Sequence, residues 1–136
     1  MTQMTPESTS SENLVQTPTY KVTKVWGEEH WIVNRDYCGK KLVLRKGHRC
    51  SLHFHPVKDE VFYLISGRVF LEIGDKACVM EPGDHQHVPP GVEHRFWGLE
   101  DSEIIEFSTH HEDDDSKRIE GQESSAFDFA DLAGRI

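Results

Sequence analysis

The chain has 136 residues, room for one domain with a core of its own but not for a second. It sets 15 basic against 24 acidic residues, a formal net charge of -9, which argues against a nucleic-acid or anionic-membrane surface and leaves at most a small basic pocket for one phosphate. No apolar run approaches the roughly 20 residues that a membrane span requires.

Residues 1–18 are rich in Thr, Ser, Pro and Gln, show no hydrophobic period, and read as a disordered tail. Residues 1–20 contain no Lys or Arg, so a secretory signal is not expected. Residues 19–110 then break into short β-branched and aromatic runs: 21–26, 30–34, 41–45, 50–55, 60–66, 69–73, 76–80, 86–88, 94–97 and 103–108. The breaks are turn signals such as Gly27, Lys46-Gly47, Ser66-Gly67, Gly74-Asp75, Pro82-Gly83 and Pro89-Pro90-Gly91. This spacing predicts an all-β fold, a sandwiched or closed antiparallel sheet. In the run from Glu60 to Ser66, an inward Glu60 brings Phe62 and Leu64 with it and turns Val61, Tyr63 and Ile65 outward. Both faces are apolar, which predicts an outer cover, either a partner subunit in a homodimer or the N-terminal strands wrapping across. Residues 111–136 form a charged extension whose end, with Ala126, Phe129 and Ala133 at helical spacing, reads either as a short docked helix or as a loose tail. Cys38, Cys50 and Cys78 are odd in number and lack CxxC spacing, so they read as reduced thiols of a cytoplasmic protein. The offset of Cys50 from His53 predicts that it faces away from the site.

His53 and His55 stand at i and i+2, so an extended chain projects both from one face. A hairpin return brings Glu60 beside them, and His94 follows the Pro89-Pro90-Gly91 turn. Three imidazoles and a carboxylate suit one divalent transition metal: zinc, manganese, iron, nickel or cobalt. Lys58, tethered between His55 and Glu60, and Glu106 on the last strand are the candidates for acid–base or electrostatic work beside such an ion. Phe62, Leu64 and Phe96 are expected to line the cavity and His87 to cap it. Arg95 is expected to turn away to a surface or interface, His85 to be exposed, and His110 and His111 to face water.

Gly47-x5-His53-x-His55-x4-Glu60-x6-Gly67 and Gly83-x5-Pro89-x-Gly91-x2-His94 resemble the two motifs of the cupin superfamily. The asparagine that usually follows is absent, since Trp97 and Gly98 stand there. The resemblance implies a double-stranded β-helix, the jelly-roll β-barrel, with the metal inside on three histidines and one glutamate. Trp26-Gly27-Glu28 and the stretch from Ile105 to Arg118 are similar to the cupin domain of mannose-6-phosphate isomerase-like enzymes, and His53-x-His55-x2-Lys58-x-Glu60 to small lyxose isomerases.

A sugar or sugar-phosphate isomerase or epimerase, an aldose–ketose isomerase in the first instance, is the leading expectation, and the overall charge fits an unphosphorylated sugar better. The alternatives are an Fe(II)-dependent dioxygenase, favoured by the apolar lining, and a metabolite-binding cupin without activity. Each has a small molecule as partner. Fold does not choose among them.

Overall fold

The computed structural model describes residues 14–17 and 20–136. The tail expected over residues 1–18 therefore lies outside the described residues, apart from residues 14–17, which are exposed and without regular structure. From Tyr20 the chain forms β1 (Tyr20–Lys24), β2 (Gly27–Asn34), β3 (Tyr37–Leu44), β4 (His48–Arg49), β5 (His53–Phe54), β6 (Glu60–Ser66) and β7 (Val69–Ile73). There follow β8 (Lys76–Met80), β9 (His85–Val88), β10 (His94–Gly98), β11 (Ser102–Thr109), β12 (Lys117–Arg118) and β13 (Ser125–Ala126). Most of the expected strands are present, but the run 50–55 is strand only at His53–Phe54, and the first turn falls at residues 25–26 rather than at Gly27, which opens β2. Gly47, Gly67, Gly74, Gly83 and Gly91 all adopt positive φ.

All pairings are antiparallel and define two sheets, which is the all-β, cupin-like arrangement. One runs β1-β2-β3-β11-β6-β9; the other runs β12-β5-β10-β4-β13, with β7 also pairing with β10 and β8 with β7. Trp26, Leu42, Leu44, Phe62, Leu64, Leu71, Phe96 and Ile104 are buried together in the main core. The period-2 reading of β6 holds: Glu60, Phe62 and Leu64 are buried, whereas Tyr63 is 38% and Ile65 44% exposed. The N-terminal strands do not cover that outer face, because β1 and β2 extend the sheet sideways from β3.

The C-terminal segment is more tightly integrated than its composition suggested. β12 pairs with β5 and β13 with β4, so both join the second sheet. The expected helix is a single 3-10 turn, Phe129–Leu132, capped by Asp128 Oδ1, which accepts from Ala130 N at 3.0 Å. Pairing at Ser125–Ala126 and the positive-φ turn at Gly134 leave length for no more. Leu132 is fully buried against Phe70, Trp97 and Leu99, forming a second small core behind the sheet.

Gly98, which stands where an asparagine was expected, has a steric cause. A Cβ there would lie 2.5 Å from the Arg45 carbonyl oxygen, and Gly47 N–H donates to the Gly98 carbonyl at 2.9 Å. The close approach of these two backbones excludes any side chain.

Candidate metal centre

His53 lies on β5, His55 just beyond it, His94 at the start of β10 as the register partner of His53, and Glu60 at the start of β6. One hydrogen bond fixes the approach: Gly91 N–H donates to the His55 carbonyl at 2.7 Å, tying the Pro89-Pro90-Gly91 turn to the histidine strand. The imidazole ligand atoms of His53, His55 and His94 all lie within 4.8 Å of one another, a cluster able to hold one divalent transition metal.

The tautomers follow from the partners. His53 Nδ1 meets the Ser51 carbonyl at 2.7 Å, His55 Nδ1 the Asp115 carbonyl at 3.2 Å and His94 Nδ1 the Val92 carbonyl at 3.0 Å. A carbonyl only accepts, so each Nδ1 carries the proton and each Nε2 offers a lone pair. Burial, reinforced by neighbouring His94, lowers the His53 pKa to about 3; burial, with Lys58 next in weight, lowers that of His55 to about 2. Both rings are therefore neutral at pH 7 and ready to ligate.

Glu60 Oε2 lies 3.1 Å from His94 Nε2 and 3.4 Å from His55 Nε2. Glu60 Oε2 and His94 Nε2 are both buried and neither makes a hydrogen bond. Buried polar atoms without partners are costly, and here two convergent acceptors are left so together. A cation between them would satisfy both, and three neutral imidazoles with one carboxylate are the donor set such an ion takes. The residues fit a metal.

A cavity of about 460 Å³ opens beside this cluster. Lys58, 2% exposed, donates from Nζ to Glu106 Oε2 at 3.0 Å and to His111 Nδ1 at 3.0 Å, and lies 3.4 Å from Glu60 Oε1. Burial opposes the charge on Lys58, but the Glu106 and Glu60 carboxylates outweigh it and hold the ammonium pKa above its ordinary value. Burial likewise opposes the charge on Glu106, and Lys58 and then Lys40 outweigh it, holding that carboxyl below the usual range. The pair is an ammonium and a carboxylate, which makes Lys58 a charge and hydrogen-bond donor rather than a base.

Phe62 and Phe96 line the cavity, with their rings 5.7 Å apart. Leu64 and His87 do not. Two steps along β6 carry Leu64 about 13 Å from Glu60, deep into the main core. His87 is the register partner of Val61, whose side chain points outward, so it sits on the outer face, where Nε2 meets Asp59 Oδ1. Cys50, expected to face away, lines the cavity, because residues 50–52 are not strand and parity does not carry across them. Burial pushes its thiol up to about 12, and Sγ accepts from Phe96 N–H, so it is no thiolate ligand. Arg95 is turned from the cavity but is buried rather than at a surface: it donates to the Cys50 carbonyl and to Gln122 beneath the C-terminal segment.

His111, expected to face water, is 8% exposed and belongs to the site. Its backbone and the Asn34 amide bond reciprocally, with Asn34 Nδ2 donating to the His111 carbonyl at 3.1 Å and His111 N–H to Asn34 Oδ1 at 2.8 Å. Its Nε2–H donates to Asp113 Oδ1 at 2.9 Å, which leaves Nδ1 to accept from Lys58. Trp31, Lys40 and Glu29 were also not anticipated. Lys40 Nζ sits 3.9 Å over the Trp31 ring and 3.6 Å from Glu29 Oε1, and Trp31 Nε1–H donates to Glu29 at 3.0 Å. Their contacts form across the β2–β3 pairing, where Trp31 is the register partner of Lys40.

The family model for the Cupin domain matches residues 41–108, half of the chain. Among curated proteins, the D-lyxose ketol-isomerase of Cohnella laeviribosi is 31% identical over 60% of this chain and 61% of its own length. An oxidoreductase of Arthrobotrys oligospora is 34% identical over 51% of this chain and 28% of its own. The chain thus spans less than two thirds of either relative. Among solved structures, an RmlC-like cupin from Shewanella frigidimarina superposes with a TM-score of 0.66 at 20% identity, covering 84% of this chain and 98% of that one.

Proposed function

The chain belongs to the cupin family, and within it we propose a metal-dependent aldose–ketose isomerase or epimerase acting on a sugar. The observation that carries this reading is the buried Lys58–Glu106 pair beside the histidine cluster. A proton-transferring site needs a carboxylate and a hydrogen-bond donor next to the reacting carbons. The likeness to a ketol-isomerase along the matched region agrees with this reading, as does the resemblance of residues 26–28 and 105–118 to mannose-6-phosphate isomerase-like cupins. The jelly-roll closure of the two sheets belongs to the same proposal.

His53, His55, His94 and Glu60 would hold the ion, which when bound would polarise the carbonyl and hydroxyl oxygens of the sugar. Glu106, an ionised carboxylate, takes the proton from one carbon and returns it to the next. Lys58 supplies a fixed positive charge that favours the oxygen on which negative charge develops. His111 holds the Lys58 ammonium from behind, and the Phe62 and Phe96 rings form the wall that limits water. With the metal-replete protein under nitrogen, the C2 proton of D-lyxose or D-mannose should exchange with solvent deuterium, read by proton NMR. Absence of exchange across a panel of pentoses, hexoses, uronates and sugar phosphates refutes the reading.

A second reading has one specific support. Trp26, Phe62 and Phe96 stack edge to face along one side of the cavity, at 5.6 and 5.7 Å between neighbouring centroids, an apolar wall suited to an Fe(II) dioxygenase. Substrate-dependent oxygen uptake distinguishes it. The exposed Tyr63, Ile65 and Phe107 on neighbouring strands β6 and β11 support a homodimer through that sheet. The unpaired thiols of Cys38, Cys50 and Cys78 fit a reducing, cytoplasmic setting.

A further inference from the structure

The -9 charge of the chain favours a neutral ligand, but the cavity itself is charged differently. Four basic side chains line it: Lys24, Lys40, Lys58 and Arg118. Four carboxylates also line it, and each is engaged. Glu29 meets Lys24 and Lys40, Glu60 and Glu106 meet Lys58, and Asp113 accepts from His111. The two sets balance, so a divalent ion on the histidine cluster would leave the cavity with two positive charges in excess. Of the four cations only Arg118 has no partner: among the described residues its guanidinium makes no hydrogen bond or ion pair.

Its position is set by pairing. Arg118 on β12 is the register partner of His53 on β5, and opposed residues of an antiparallel pair project to the same face with Cβ atoms about 5 Å apart. His53 faces the cavity, and so does Arg118. Asp115, three residues earlier, is not free to neutralise it, because its carboxylate accepts from Val57 N–H at 2.9 Å and Lys58 N–H at 2.8 Å, and Glu120, two residues later, makes no ion pair with it. Arg118 is exposed at the cavity edge, and a planar guanidinium free there is matched by a group that takes two parallel hydrogen bonds, a carboxylate or a phosphate.

We propose that Arg118 is the specificity residue of this site and that the ligand is an acidic sugar, a sugar acid or sugar phosphate, whose anionic group is held by Arg118 while its carbonyl end faces the histidine cluster. This rests on the sugar-directed reading above and names its substrate class.

The test is isothermal titration calorimetry on the metal-replete full chain with three probes: D-glucuronate, D-glucose 6-phosphate and D-glucose. At least one anionic probe should bind about tenfold or more tightly than glucose. Arg118→Met should abolish that preference with metal content and melting temperature unchanged, and Arg118→Lys should restore it only in part. A preference for glucuronate alone assigns a carboxylate, and for glucose 6-phosphate alone a phosphate; either supports the proposal. Anions that bind no better than glucose, or not at all, overturn it, as does a preference that survives in Arg118→Met. Binding is read without turnover, so a failed deuterium exchange refutes the isomerase reading and leaves this result standing.

Discussion

Replacing Lys58 by Met tests whether the buried pair is what the site is built around. Lys58 Nζ lies 3.0 Å from Glu106 Oε2 and 3.4 Å from Glu60 Oε1, and the three side chains are 2%, 5% and 1% exposed. At an effective dielectric of about 20, two unit charges 3.0 Å apart attract by about 5 kcal/mol. Removing one member of a buried pair costs about 3–5 kcal/mol, because the other charge stays behind without compensation. That is a large part of the roughly 5–15 kcal/mol that holds a domain of this size folded. The double variant Lys58→Met/Glu106→Gln removes both charges and should recover most of the loss. The pH dependence has a definite sign. The Glu106 pKa is depressed in the folded protein below its ordinary 4.5, so its pairing stabilises above that value and is lost as pH falls through the folded one. In Lys58→Met the deficit should be full at pH 7 and shrink toward pH 4.5, where a protonated Glu106 needs no cation. Urea titrations at pH 7 and pH 5, with metal content assayed in parallel, read all three proteins. A single variant within about 1 kcal/mol of the parent, or additive losses in the double variant, refutes the reasoning.

Elemental analysis after metal-replete purification should give one divalent ion per chain; His55→Ala should lose most of it, while His111→Ala keeps it and lowers turnover through Lys58. Chelation should leave the β-sheet circular dichroism intact at 25 °C, because the apolar core around Phe62, Leu64, Leu71 and Phe96 forms independently of the ligands. The chelated protein should then lose stability as pH falls below 6.5. There the unfolded chain takes up protons that His53, at about 3, and His55, at about 2, refuse, each costing about 1.4 kcal/mol per pH unit. Leu132→Ala should cost about 2–4 kcal/mol, read by chemical denaturation, since the side chain is fully buried against Phe70 and Trp97. A cost below about 1 kcal/mol would mean that the C-terminal turn does not dock.

What the sequence determined by itself was whatever depends on short separations. The i, i+2 spacing put His53 and His55 on one face, alternation sorted β6 into buried Glu60, Phe62 and Leu64 and exposed Tyr63 and Ile65, and turn residues cut the chain where strands end. Parity misled wherever regular strand was interrupted or the register lay in a partner. Cys50 reached the cavity across a non-strand break, and His87 followed Val61 outward. The tertiary structure alone decided which charges meet. His111 looks like any other charged-segment histidine until Asn34, 77 residues away, holds its backbone and Lys58 reaches its ring. Arg118 gains its meaning only from pairing with His53. Such contacts are set by how separate strands pack, and a buried charge differs from an exposed one only in its neighbours, which a linear chain does not display.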